Sequence, residues 1–430
     1  MKKIVGTIAA VAVAAGVAFA DVGIGSFARA IWAPVGYSVD AKSVGEHKSW
    51  EGTSWGGWPG ASLSRVGITV SAQSENVGFV LDLNADPGDG KAGVHDNAYA
   101  WVKPFDFLEV KIGKLNEDTG RGNVCYGAFD WLRFGNFRTG EDMTFDRIKG
   151  GEGLAVVKVT PVKGLWAIGA FGVVDTESAL KTFGNNSTYA AGYEIEGIGH
   201  IRAQYKGDTN AYDKEGTTIG NGVINAAFDL TAVDNLWVTV GAYIPLGLNA
   251  ITGYTEYKAD PNSYEKAKVV AVSNQITLAA GASYKLSAVT LHGYVRGKLP
   301  NTIKDSFELS VLGTKVADVE LEATKGGKVE VGIGADFDLG NGLTVIGDVR
   351  FQTSQDKILS TTSKPVAGDE EKGSICISDN TSELDFMVGI QKALTNGSIG
   401  VGFEGGVTNF LDSKTSYFQW AIPVVITASF

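Results

Sequence analysis

Residues 417–430 end the chain with the stretch YFQWAIPVVITASF, whose side chains alternate in polarity. One alternate set is wholly apolar and reads Phe418, Trp420, Ile422, Val424, Ile426, Ala428 and Phe430. Successive side chains of a β-strand point to opposite faces, so this period of two predicts a strand. Its length is unusual for a soluble domain and suits a tilted strand across a bilayer, which needs about 9–11 residues in the hydrocarbon.

The last residue of the chain is an aromatic one, Phe430. An alternating strand with this ending resembles the last strand of bacterial outer-membrane β-barrel proteins, and the whole chain resembles the porin class among them. The resemblance implies that the barrel-assembly machinery reads Phe430 as an assembly signal. The edge of a soluble β-sandwich is the alternative explanation of this strand taken alone.

Residues 1–20 have the three parts of a secretory signal peptide. Lys2 and Lys3 form the basic start, residues 4–17 form the apolar run, and Ala18-Phe19-Ala20 provides a small-x-small cleavage site. The run is short for a transmembrane helix, and no stop-transfer charges follow it. We therefore expect cleavage after residue 20, export through the periplasm to the outer membrane, and a single barrel domain over residues 21–430.

The composition of the rest of the chain agrees with a barrel without proving one. No later apolar run approaches the roughly 20 residues of a helical span, and the mean hydropathy is +0.03. A barrel explains both facts, because only every second residue faces lipid. A chain of this length is also compatible with two or three soluble β-domains.

The charge and the scarce reactive residues exclude several functions. The formal charge of −11 argues against a nucleic-acid partner, which needs a basic patch. Four scattered histidines lack the spacing of metal ligands, and no motif for nucleophilic catalysis or phosphate binding is present. We therefore expect no enzymatic activity, no metal and no cofactor.

The chain contains two cysteines, Cys125 and Cys376. Both fall in segments that we expect to form long loops on the same side of the barrel. In an exported protein they can form a disulfide, and two free loop thiols are the alternative.

Strand-like segments come in pairs joined by short turns with hairpin chemistry such as Asn-Gly. These turns are expected at residues 74–76, 104–106, 162–164, 197–200, 233–235, 286–288, 340–342 and 395–397. Short and long connections alternate throughout, which predicts an all-β, antiparallel, up-and-down transmembrane barrel of about eighteen strands. Residues 306–324 form either a hairpin on the outer side or two further wall strands, so sixteen and twenty strands stay open.

Several strands alternate between apolar and charged residues, for example 289–299 and 343–352. An Arg or Lys on the lipid face near the midplane costs roughly 2–4 kcal/mol, so the charged set is expected to face inward. The predicted pore-lining residues are Arg65, Asp82, Glu194, Arg202, Asp229, Arg296, Lys298, Glu330, Asp348, Arg350, Asp385 and Glu404. Alternatively, these residues pair across strands and fill the interior.

The longest connection without a clear strand pattern is 116–152, after the fifth predicted strand. In ordinal position it resembles the porin loop that folds into the barrel and narrows the pore. The residues expected at such a constriction are Arg121, Asp130, Trp131, Arg133, Arg138 and Asp142. A surface loop with a small apolar core of its own is the alternative.

These features together predict a porin that passes ions and small hydrophilic solutes by passive diffusion. The other reading is a surface adhesin or structural protein with a blocked lumen, because the predicted outer loops at 247–275, 300–327 and 354–383 are long. The resemblance to porins also implies contact with outer-membrane lipid and assembly as a homotrimer.

Overall fold

The computed structural model describes residues 21–39, 47–52, 65–86, 91–117, 148–149, 154–172, 187–207, 222–246, 275–311, 314–365, 374–413 and 416–430. The predicted signal peptide, the six predicted constriction residues and Cys125 lie outside these residues. Cys376 belongs to a described strand, but its side chain is outside the description. Within the described ranges, no helix has the length and apolarity that a helical membrane span needs.

The wall is one antiparallel sheet of eighteen strands. We number them β1 Asp21–Val39, β2 His47–Gly52 with Arg65–Gln73, β3 Val77–Asp86, β4 Lys91–Phe105, β5 Leu108–Lys114, β6 Leu154–Val162, β7 Leu165–Gly172, β8 Ser187–Ile195, β9 Gly199–Gly207, β10 Gly222–Leu230, β11 Leu236–Leu246, β12 Thr277–Leu286, β13 Val289–Lys298 with Asn301–Val311, β14 Thr314–Gly340, β15 Leu343–Pro365, β16 Ser374–Leu394, β17 Gly397–Thr408, and β18 Tyr417–Ala421 with Val424–Ser429.

The sheet closes on itself because β1 pairs with both β2 and β18. At the seam, the amide of Ser26 donates to the carbonyl of Phe430, and the amide of Phe430 donates to the carbonyl of Ser26, each at 2.8 Å. A closed sheet leaves no unpaired edge, which a bilayer would not tolerate. The predicted closed antiparallel barrel is therefore confirmed.

Eight short turns join alternate strands at one end of the barrel, within a residue or two of the predicted positions. Residues in the left-handed region make several of them possible. Asn341 and Gly342 have φ angles of 54° and 74°, the pair of positive values that a two-residue type I′ turn requires. Local turn chemistry is thus enough to locate one whole rim of the barrel.

At the opposite rim, the long loops predicted at 300–327 and 354–383 are wrong over most of their length. Asn301–Val311 continues β13 and, among the described strands, pairs with the first part of β14 alone. The outer parts of β14, β15 and β16 pair with one another as well. Chain that projects beyond the bilayer still has backbone groups to satisfy, and continued pairing satisfies them. The outer hairpin, one of the two alternatives given for residues 306–324, is confirmed, so these residues add no wall strands and the count stays at eighteen.

The last strand was predicted as one continuous element, and this prediction is wrong in one detail. It is interrupted at Ile422 and Pro423, because proline has no N–H to give to the ladder. The proline carbonyl still accepts a hydrogen bond of 3.1 Å from the amide of Gly402. The alternation of inward and outward side chains continues across the interruption, since Ala421 and Val425 are both buried on the same face.

Candidate functional site

The two faces of the wall have the reverse of the polarity found in a soluble protein. On β13 to β16 the exposed side chains include Leu291, Ile333 and Val388, and Ile333 is 62% exposed. Between them along the strands lie charged residues such as Glu330 and Asp348, which are only 2% and 3% exposed. An apolar outer face and a polar inner face are the arrangement that a lipid-embedded barrel requires.

Aromatic residues mark both ends of the apolar outer face. Away from the turns, Phe386 packs against Phe403 and Phe418, with ring centroids 6.0 and 6.2 Å apart, and Phe403 stacks on Trp420 at 5.7 Å. At the turn end, the exposed aromatic side chains include Phe105, Phe107 and Phe430. Aromatic girdles flank the apolar band of membrane barrels at the two lipid–water interfaces.

On the inner face, most buried charges of β9 to β16 are paired across neighbouring strands. The guanidinium of Arg202 donates to the carboxylate of Asp229, and the hydroxyl of Thr239 donates to the same carboxylate. The Asp229 side chain is wholly buried. A charge that is buried without a partner costs free energy. A shift in the pairing of β9, β10 or β11 would separate these groups, so the contact favours the observed register of the three strands.

A second set of pairs spans β13 to β16. The guanidinium of Arg296 lies 2.5 Å from Glu330, and the hydroxyl of Tyr294 donates to Glu330 at 2.8 Å. His292 lies 3.0 Å from Asp348, and Arg350 donates to Asp385 at 2.6 Å. With the Arg202 and Asp229 pair, these residues form what we call the paired-charge sector: Arg202, Asp229, Thr239, His292, Tyr294, Arg296, Glu330, Asp348, Arg350 and Asp385.

Glycine leaves the room for these bulky inner side chains. A Cβ at Gly332 would overlap the ring of Tyr294, and a Cβ at Gly334 would overlap the carboxylate of Asp348. Residues without side chains therefore let the pairs lie flat against the wall.

The inner face of β2 to β5 is polar too, but here neutral side chains supply some of the hydrogen bonds to buried acids. Asp82 accepts hydrogen bonds from Thr69 at 2.7 Å and from the amide of Asn97 at 2.6 Å. Lys111 lies 3.0 Å from Glu109 and 2.8 Å from Glu117. Of the charged residues in these contacts, only Asp82 belongs to the predicted pore-lining set.

The contact between Lys111 and Glu117 shows where the chain goes after β5. Lys111 is on the inner face, since its neighbour Ile112 is 63% exposed on the other face. Six residues of extended strand would separate the two Cα atoms by about 20 Å, so a 2.8 Å contact between their side chains requires a bend. The chain therefore turns onto the inner wall just after Lys114, and Asn116–Glu117 pairs there with Ile148–Lys149.

Beside this bend, the inner face is apolar, which the sequence did not predict. Its members, which we call the apolar sector, are Leu115, Leu154, Val156, Ile168, Ala170 and Ala190, each at most 6% exposed. Tyr99 and Trp166 pack against them. Alternation gave no signal here, because β6 carries apolar residues on both faces.

The structure brings together three ion pairs from the predicted pore-lining set, namely Arg202 with Asp229, Arg296 with Glu330, and Arg350 with Asp385. Glu194 is exposed, 3.9 Å from His200, and Lys298 is exposed where β13 is interrupted. Glu404 is buried, and Arg65 is described only by its backbone, opposite Arg29. Missed by the prediction were Tyr294, Thr239, Lys111 and Glu117; the first two follow the same inward alternation as their charged neighbours.

Metal ligation finds no support in the described part of the chain. No group of three or more His, Cys, Asp or Glu side chains in it is arranged to hold a metal ion.

Comparisons with known proteins identify the type of fold. Neither protein-family models nor curated proteins match the sequence. Among solved structures, OccAB1 of Acinetobacter baumannii is similar with a TM-score of 0.51 at 11% identity, over 96% of this chain and 97% of that one. The chain has a porin-like β-barrel fold.

Two further solved structures are less similar. The outer-membrane protein OmpT of Vibrio cholerae has a TM-score of 0.45 at 8% identity, covering 96% of this chain and 98% of that one. OmpF of Salmonella typhi has a TM-score of 0.42 at 13% identity, covering 96% and 97%. At such low sequence identity, similarity to these structures gives no information about which solutes this protein binds or passes.

Proposed function

We propose that this protein is an outer-membrane channel for the passive diffusion of ions and small hydrophilic solutes. The proposal requires no catalytic step, metal or cofactor. The short turns would face the periplasm, and the extended strands of the opposite rim would face the exterior. Phe430, whose backbone closes the barrel and whose side chain is 75% exposed, would serve the assembly machinery.

The observation that carries this proposal is the reversed polarity of the wall. Exposed aliphatic side chains such as Ile333 and buried charges such as Glu330 alternate on one strand. In water this arrangement would expose apolar surface and bury charge, both at a cost. It is favourable only when lipid lies outside and polar groups, water or solutes lie within.

We further propose that the segment 116–152 narrows the lumen. The direction of its first residues supports this, because Leu115 packs in the apolar sector and Glu117 binds Lys111 on the inner wall. The amide of Asn116 also donates to the side chain of Asn97 at 3.1 Å. The described residues Asn116 and Glu117 thus lie against the inner wall, which is the start that a constriction segment requires.

Single-channel conductance in a planar bilayer tests the channel. The mature protein would be refolded in detergent, its folding verified by heat-modifiable migration in electrophoresis, and its currents recorded in KCl. Discrete, long-lived conductance steps are the expected result. Verified barrels that carry no current would overturn the proposal.

One observation favours a second role at the cell surface. The outer parts of β13 to β16, residues 301–311, 314–325, 353–365 and 374–382, pair with one another beyond the pairing of β12 and β17. A four-stranded projection of this kind is suited to contact with a host or matrix surface. Binding of intact cells to such a surface, lost when residues 302–324 are replaced by a short Gly-Ser loop, would support this role.

A further inference from the structure

Three carboxylates lie near one another on the inner face of β16 and β17. Glu383 and Asp385 are two residues apart on β16, and Asp385 is opposite Gly406, two residues from Glu404 on β17. Same-face neighbours at such a diagonal position have Cα atoms roughly 7–8 Å apart. The side chains of Asp385 and Glu404 are therefore within reach of one another.

The positive charge that bonds to this group sits on one side of it. Arg350, on β15, donates to one oxygen of Asp385 at 2.6 and 3.0 Å. Glu383 accepts a hydrogen bond from the neutral amide of Gln352. Lys328 is 3.9 Å from Glu330 rather than bonded to this group. Among the described residues, Glu404 receives no cation.

Glu404 is therefore unlike the other buried acids of the inner wall. It is 2% exposed, its Oε1 atom has no hydrogen-bond partner, and no basic side chain contacts it among the described residues; the Oδ2 atom of Asp348 is unpartnered too, but His292 lies 3.0 Å from the other oxygen of Asp348. Asp229 and Glu330 are buried as deeply, but each has an arginine. A buried carboxylate without compensation costs several kcal/mol, so this is where the described wall lacks positive charge.

The residues that flank Glu404 directly on the inner face carry no polar side chain. The residues across from it are Met387 on β16 and Ala421 on β18. Its same-face neighbours along β17 are Gly402 and Gly406, which have no side chains. None of these four residues has a side chain that can donate a hydrogen bond to the carboxylate of Glu404, which agrees with its unpartnered Oε1 atom.

We propose that Glu404 and Asp385 form a cation-binding subsite on the inner wall. The occupant is a monovalent cationic group, either a small inorganic cation such as K⁺ or the ammonium or guanidinium end of a solute. The carboxylates supply oxygen ligands, and the charge of the occupant offsets that of Glu404. The subsite rests on the proposed channel for access, and it makes that channel prefer cations.

The first test compares cation selectivity of the wild type with that of Glu404→Gln. Reversal potentials are measured across a tenfold KCl gradient, and the permeability ratio of K⁺ to Cl⁻ is expected to fall at least twofold in the variant. Glu194→Gln is the matched control, because it removes an equal charge from an exposed carboxylate, and it should change the ratio less. Equal ratios in all three proteins would overturn the subsite while leaving the channel standing.

A second arm distinguishes the two sources of the cationic group. Arginine amide, added at millimolar concentration on one side, should reduce the K⁺ current of the wild type but not of Glu404→Gln if organic cations enter the subsite. Unchanged current together with a changed permeability ratio assigns the subsite to inorganic cations. Equal block of both proteins would place the organic cation elsewhere and overturn its assignment to Glu404.

A third arm does not depend on conduction. The temperature at which the wild-type barrel loses its heat-modifiable migration is compared in KCl and in N-methyl-D-glucamine chloride, whose cation is too bulky for a buried site. A higher temperature in KCl, by a few degrees, supports the subsite even if no current is seen. Equal temperatures in the two salts would show that Glu404 is neutralised by other means and would overturn the proposal. Since this arm uses the wild type, it also holds if the variant fails to fold.

Discussion

The inner wall of this barrel has two regions that are equally buried for different reasons. In the apolar sector, Val156 and Ile168 are at most 3% exposed because aliphatic and aromatic groups pack together. In the paired-charge sector, Asp229 and Glu330 are at most 2% exposed, and each is held by an arginine. The outer face, by contrast, is apolar beside both sectors.

The comparison shows that lipid constrains only one side of each strand. Any charge on the outer face meets hydrocarbon, so the outer residues of all strands resemble one another. Each inner residue instead meets its cross-strand neighbours, and two solutions are stable: apolar contact, or charge beside opposite charge. We expect solutes to interact with the polar part of the wall, since the apolar sector offers them no hydrogen bonds.

The largest effect is expected from breaking a pair in the paired-charge sector. Asp229→Ala removes the carboxylate to which the buried guanidinium of Arg202 donates, which should lower the free energy of unfolding by about 3–5 kcal/mol. Urea unfolding from lipid vesicles, followed by tryptophan fluorescence, measures it. The double variant Arg202→Met with Asp229→Ala removes both charges and should recover most of the loss. A loss below 1 kcal/mol in the single variant would contradict the importance of pairing.

Removing volume from the apolar sector should have the next largest effect. Ile168→Ala deletes buried groups and leaves a cavity, at an expected cost of roughly 2–5 kcal/mol in the same assay. Val162→Ala is the control, because Val162 is 59% exposed at the end of β6, and it should cost much less. Equal losses in the two variants would mean that the apolar sector is not a packed core.

A charge placed on either face tests the contrast between lipid and lumen. Ile333→Arg puts a cation on the outer face, which should cost roughly 2–4 kcal/mol. Thr290→Arg puts the same cation on the inner face, opposite Asp336, and should be tolerated. Vesicle-refolding yield and urea unfolding report both. Tolerance of arginine at residue 333 would contradict the assignment of the outer face to lipid.

The smallest effect concerns a single hydrogen bond within the paired-charge sector. Tyr294→Phe removes the hydroxyl that donates to Glu330 at 2.8 Å, so a loss of roughly 1.5–3 kcal/mol is expected for a bond to a charged group. Tyr189→Phe serves as its control, because Tyr189 is 44% exposed and stacks on Tyr205. If the two variants have the same free energy of unfolding, the hydroxyl of Tyr294 contributes nothing to stability beyond the contact of Arg296 with Glu330.

Much of the fold could be predicted because its signals are local. A turn such as Asn341-Gly342 is specified by the two residues that adopt positive φ angles. The alternation along β13 and β15 identified the inward residues Arg296 and Arg350, since charge on the lipid face is costly. Strand ends away from the turns were predicted poorly, because pairing beyond the bilayer leaves no change of pattern at the boundary.

The site could be predicted only in part. Period-two reasoning places Arg202 and Asp229 on the inner face, yet it cannot say that they meet, since they are 27 residues apart. It also overlooked the apolar sector, because strands apolar on both faces give no alternation. The predicted constriction residues lie outside the described ranges, so their role remains a proposal.

The sequence by itself determined the strands, the turns and the polarity of each face, because these depend on residues adjacent along the chain. Only the tertiary structure decided which inner residues meet. Register across strands and closure of β1 on β18 set those contacts, and a shift of one residue would exchange the two faces of a strand. The partners of Glu330, the contact of Glu117 with Lys111 and the isolation of Glu404 follow from that register.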